Sequence, residues 1–142
     1  MAATLTVEIL TPEAALWRGA ATALVARSSV GNFTVLAQHT ATVGDLVASV
    51  VRVDTDEGPV HFAVHSGFFQ VAPGPEVGET TATIVAGVAE RTSEIDVARA
   101  QAAKESAEAE IAAARAGDET LNYDLAVEAL ARAELRLSAV AQ

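Results

Sequence analysis

The 142-residue chain contains no cysteine. That absence removes disulfide frameworks, thiolate metal sites and cysteine nucleophiles together, so the fold has to stand on its apolar core. Aromatic residues are only 4% of the chain, and 9 Lys plus Arg face 19 Asp plus Glu, a formal charge of −10. Charge of that sign repels phosphate backbones and anionic headgroups, which excludes nucleic acid as a first partner class. Glu8 and Glu13 precede the first arginine, Arg18, so no basic leader region of a secretory signal is read, and the expectation is a soluble, intracellular protein. The longest stretch without a charged residue, 58–75, is interrupted by prolines, glycines, histidines and Gln70 and does not read as a membrane-spanning helix. Phosphate-cradling glycine patterns are missing as well.

What is present divides into two unlike halves of one ordinary domain's length. Residues 4–88 are rich in Val, Thr and Phe and alternate with the two-residue period of half-buried strands. Leu5, Val7 and Ile9 would share one face, with Thr4, Thr6 and Glu8 on the other. Further runs lie at 22–27, 33–37, 46–53, 60–65, 68–72 and 82–86, separated by turn segments such as Gly31-Asn32, residues 54–59 and residues 73–78. Short strands with frequent turns and no intervening helical period predict an antiparallel sandwich or flattened barrel rather than a parallel sheet, with the sandwich preferred.

Near Glu90 the composition changes to Ala, Glu, Arg, Lys and Leu, which is helical. Ser93 followed three residues later by Asp96 has the spacing of a capping box, and the helix is expected to run to about Arg115 before Gly117-Asp118. A second helix is expected from Asn122 to Val140, with an apolar stripe of Ala126, Leu130, Ala133, Leu137 and Val140. The first helix offers Val97, Ala100, Ile111 and many alanines, so the two fit an antiparallel hairpin. Alanine withdraws little apolar surface from water, which predicts a hairpin that is weakly held and able to move. Charge does not distinguish the halves: residues 1–89 hold 8 acids and 3 bases, and residues 90–142 hold 11 acids and 6 bases.

Three groups of residues invite a chemical reading. His61 and His65 fall on one face of a strand with His39 in a turn-rich segment, yet no metal-ligand spacing accompanies them, and ordinary hydrogen bonding is the simpler reading. Ser28, Ser29 and Ser66 lack the strand-to-helix turn that exposes a nucleophile, and Trp17 reads as a core or domain-contact aromatic. In the tail, Asp96 and Arg99 are three apart, and Glu128, Arg132 and Arg136 form a row on the second helix. Folded as a hairpin, these residues gather guanidinium groups near a carboxylate. That set suits either a nucleotide, with phosphate on the arginines and a ribose or adenine donor on the carboxylate, or a solvated face laced with salt bridges.

The full chain resembles the epsilon subunit of bacterial F-type ATP synthase. The carriers are Val7-Glu8-Ile9-Leu10-Thr11-Pro12-Glu13, the segment from Gly31-Asn32-Phe33 through Gln38-His39, the hairpin from Ser66-Gly67-Phe68 to Pro73-Gly74, and Ile95-Asp96-Val97-Ala98-Arg99-Ala100. The resemblance implies a ten-stranded antiparallel β-sandwich at 1–89, docking on gamma and the c-ring, and a regulatory α-helical hairpin at 90–142. It implies a noncatalytic rotor subunit on the cytoplasmic face of the bacterial membrane, coupling c-ring rotation to ATP synthesis in the alpha/beta head and restraining ATP hydrolysis through its helices. It requires no cofactor and no metal. ATP, with or without magnesium, would act as a regulatory ligand at Glu90, Ile95, Asp96, Arg99, Ala100, Arg132 and Arg136. Docking to gamma and the c-ring would fall on Asn32, Phe33 and His39.

This sequence departs from the family pattern at several of these places. Ser106 stands where ATP-binding members often carry another arginine, and Asn32, Thr34, Ala37 and Ala41 replace an acid, a glycine and two prolines in the central segment. The tail is net acidic, with Arg132 and Arg136 its only bases after Arg115, which predicts weak electrostatic braking against an acidic partner segment. Two rival readings are a stand-alone ATP-sensing module outside any rotary complex and a metal-dependent enzyme using the histidines.

Overall fold

A computed structural model describes residues 3–141. The chain forms two compact units, residues 1–91 and 92–142. The first holds ten strands in order: β1 Thr4–Leu10, β2 Ala15–Ala21, β3 Ala23–Ser28, β4 Gly31–Val35, β5 Thr42–Leu46, β6 Ser49–Thr55, β7 Gly58–Val64, β8 Gly67–Pro73, β9 Glu79–Ala86 and β10 Ala89–Arg91. They make two five-stranded sheets, ordered β2-β1-β9-β8-β5 and β10-β7-β6-β3-β4.

Period-two alternation aims one face of each sheet inward. Leu5, Val7 and Ile9 from β1 and Ala82, Ile84 and Ala86 from β9 meet Leu24, Val51, Val53, Phe62 and Val64 of the other sheet in one core. Trp17 packs edge-on to Phe62 with ring centroids 6.1 Å apart, which settles it as a core aromatic. Seven of the eight strand pairings are antiparallel, and the exception is β1 beside β9, which run parallel from Thr4↔Glu79 to Leu10↔Val85. Four of the antiparallel pairs, β1–β2, β3–β4, β6–β7 and β8–β9, are consecutive strands joined by short turns, whereas β1 and β9 are far apart in sequence and no turn dictates their direction.

Two sequence readings need revision. The run 46–53 is split between β5 and β6, and β2 was not anticipated because its Ala- and Gly-rich sequence, ALWRGAA, lacks a β-branched residue.

The second unit opens with a 3-10 turn, Thr92–Glu94, followed by α1, Val97–Arg115, and α2, Tyr123–Val140. Ser93 lies inside the 3-10 turn, and the α1 cap is Asp96, whose carboxylate accepts from the Arg99 amide at 3.0 Å. The helix cap thus lies three residues later than expected, and with Arg99 at the third helical position it is a simple N-cap rather than a capping box. Asn122 caps α2 by accepting from the Leu125 amide at 3.2 Å. The helices bury Ala100, Ala107 and Ile111 on α1 and Ala126, Ala133 and Ala139 on α2. Val97 and Val140 are exposed, so each expected stripe is shorter than its sequence pattern suggested.

Candidate functional site

One end of the sandwich carries the segment 31–39. Asn32 projects to solvent from β4, while Phe33 is half-buried and stacks on Phe69 of β8 with centroids 4.3 Å apart. Gln38 adopts a left-handed φ of 68°, and its amide donates to the hydroxyl of buried Thr80 at 2.8 Å. That bond satisfies Thr80 inside the sheet and turns His39 outward. His39 is exposed, and its Nδ1 lies 2.8 Å from the Thr40 carbonyl oxygen, which requires Nδ1 to be the donor. Of the three docking residues read from sequence, Asn32 and His39 present polar groups to solvent, and Phe33 stiffens the platform beneath them.

A second surface was not identified from the sequence. On the outer face of the first sheet, Val43 is 72% exposed, Phe68 65% and Val85 51%. Phe68 pairs across to Val85 on one side and Asp45 on the other, and Val85 is opposite Leu10, so an apolar row crosses β1, β9 and β8 and ends at Asp45 of β5, with Val43 two residues along that strand on the same face. Large apolar side chains exposed side by side on one sheet face mark a contact surface. The signal available in the sequence was the pair Phe68-Phe69, because consecutive strand residues must face opposite sides.

The histidines do not converge. His61 sits opposite Arg52 in the β6–β7 pairing, and the side chain of His65 is nearly buried, with its Nε2 3.9 Å from the Glu90 carboxylate. Among the described residues no group of three or more His, Asp or Glu is placed to hold a metal ion. The Ser28 hydroxyl donates to the Gly31 carbonyl and accepts from the Val30 amide, as expected for a serine serving a tight turn.

Glu90 belongs to β10 of the first unit and is half-buried. In the second unit Ile95 is half-buried, Asp96 and Arg99 are exposed, and Ala100 is buried. Arg132 is exposed and Arg136 is half-buried on α2, which also touches the 3-10 turn before α1. The antiparallel hairpin brings the start of α1 and the later turns of α2 to the same end. At the opposite end, the Thr120 hydroxyl and then its amide donate to Asp118 and hold that carboxyl below its ordinary value.

Residues 4–92 match the beta-sandwich domain of the ATP synthase delta/epsilon chain, and residues 93–141 match the long alpha-helix domain of the same chain. The chain belongs to the ATP synthase delta/epsilon family. Relatives named ATP synthase epsilon chain include one from Streptomyces griseus, 36% identical over 142 residues that cover 99% of this chain and 98% of the relative. One from Ruminiclostridium cellulolyticum is 34% identical over 137 residues, 96% of each chain, and one from Mycobacterium avium is 39% identical over 105 residues, 72% of this chain and 82% of the relative. In fold, the chain is similar to one in the Euglena gracilis mitochondrial ATP synthase, with a TM-score of 0.76, 23% identity and coverage of 100% of this chain and 84% of that one.

As a member of the delta/epsilon family the chain is a noncatalytic central-stalk subunit of ATP synthase. The family architecture of strand-rich and helical domains coincides with the two units described above. The stand-alone ATP-sensing reading is not favoured by relatives that carry this name over nearly the whole length.

Proposed function

We propose that the sandwich docks on gamma through the outer face of β5, β8 and β9 and on the c-ring through the Asn32 and His39 end. The exposed row of Val43, Phe68 and Val85 is the observation that carries this reading. Removing such a surface from water drives association. The helical hairpin is the regulatory element toward the alpha/beta head, and the complex lies on the cytoplasmic face of the membrane. No helix among the described residues is long and apolar enough to cross a membrane, consistent with a peripheral position.

Asp96, Arg99, Arg132 and Arg136 at one end of the hairpin form the second part of the proposal, a regulatory ATP contact. Two or three guanidinium groups neutralise phosphate by charge-assisted hydrogen bonds.

The docking reading is tested by Phe68→Asp. The charge faces solvent in the free chain, so folding is retained, and a buried unpaired carboxylate in the interface forbids docking. Expected is a folded chain that no longer co-purifies with gamma from native membranes. Co-purification at the unaltered level would refute the assignment of this face.

A further inference from the structure

The end of the hairpin next to its loop is held differently from the rest. The Arg115 guanidinium, in the last turn of α1, donates from Nη2 to the Tyr123 hydroxyl at 3.1 Å and lies 5.6 Å from the centre of the Tyr123 ring. Tyr123 is the first residue of α2. The same two side chains stand over a groove of about 440 Å³ lined also by Ile111, Val127 and Leu130. Val127 is exposed there and Leu130 half-buried, so side-chain packing does not fill the space between the helices at this end. Apart from Ile111, the buried residues of the two helices are all alanines, which supply little apolar area.

The turn itself is well ordered. Gly117 takes a φ of 104°, its amide and that of Asp118 donate back to Ala114 and Ala113, and Asp118 accepts from Thr120. Arg115 also sits where the negative end of the α1 dipole favours a cation, so its side chain is positioned before Tyr123 arrives.

We propose that Arg115 and Tyr123 form a clasp that sets how often the two helices separate. The clasp is a property of this chain alone, and only its regulatory consequence in the rotor rests on the reading above. With weak apolar packing along the helices, one contact of this kind changes the closed-to-open ratio by about two- to fivefold, the range of an exposed cation–π pair. Most of a helix's stability in a protein comes from packing of its apolar face, so separation of α2 exposes its amides to exchange.

Amide hydrogen exchange on the full-length protein tests this, with the sandwich amides as the internal standard. Tyr123→Ala and Arg115→Gln are each expected to speed exchange across residues 126–139 by about two- to fivefold. Alanine favours helix more than tyrosine does, so faster exchange in Tyr123→Ala cannot come from lost propensity. The double variant is expected to exchange no faster than the faster single one, because both remove the same contact, and Arg115→Lys is expected to restore part of the protection. Unchanged α2 exchange in both single variants, or single effects that multiply in the double variant, would overturn the clasp.

Discussion

Phe33 and Phe69 lie 4.3 Å apart at an interplanar angle of 28°, one on each sheet of the sandwich. Gly44, opposite Phe69 on β5, makes room for this stack, since a Cβ there would come within 2.6 Å of the Phe69 ring. The pair therefore ties the platform together directly behind the segment that ends at His39.

Phe33 and Phe69 are both partly buried, and Phe33→Ala and Phe69→Ala should each lower stability by about 2 to 4 kcal/mol. A double-mutant cycle in denaturant should give a coupling of about 0.5 to 1.5 kcal/mol for the stacked pair. Additive losses would show that the rings act through burial alone.

Gly67 and Gly87 lie at opposite extremes. A Cβ on Gly67 would run into the Val85 carbonyl oxygen, which belongs to the adjacent backbone and cannot rotate away, whereas Gly87 has open space. Gly67→Ala is expected to cost about 2 to 3 kcal/mol by forcing β8 from β9. Gly87→Ala should be neutral or stabilise by up to about 1 kcal/mol through the unfolded chain. Urea midpoints of the two variants measure the contrast.

Nucleotide binding by the tail should appear as a rise in thermal midpoint of the isolated chain with millimolar ATP. A concentration one hundredfold above Kd corresponds to about 2.7 kcal/mol. Arg99→Ala should abolish the rise with helix content retained. Asp96→Asn is the cleaner carboxylate probe because asparagine can still cap α1, while Asp96→Ala also loses about 1 kcal/mol of capping. No rise in the unaltered protein would leave these residues as a solvated polar surface.

Asp118 links the loop to pH. Its folded-state carboxyl is held below its ordinary value by Thr120, so the stabilisation is present above the unfolded value and is lost as pH falls through the lowered folded one. Asp118→Ala should lower the stability of residues 92–142 at neutral pH and converge on the unaltered chain in acid, read by helix ellipticity against pH.

Much of the architecture was legible because it depends on local pattern. Leu5, Val7 and Ile9 alternate and are all buried, and α1 ends at Arg115 as its glycine stop requires. Strand β2 escaped notice because Ala, Gly and Arg have weak strand preference, and its place beside β1 comes from pairing. Asp96 was read as a first-turn acid rather than the cap because Ser93 three residues earlier satisfied the same spacing rule. The backbone decides between them, and Asp96 is the residue with the extended φ and ψ of −79° and 101°.

The sequence by itself determined two unlike halves, the alternation that fills the sandwich core, the two helices and the charge that excludes polyanionic partners. These follow from side-chain periodicity and composition, which act within a few residues. Only the tertiary structure decided that β1 runs parallel to β9, that Phe68 and Val85 join Val43 in one exposed face, and that Arg115 reaches Tyr123. Each of these depends on which distant backbone lies alongside, and residues far apart in the chain carry no local pattern that specifies it.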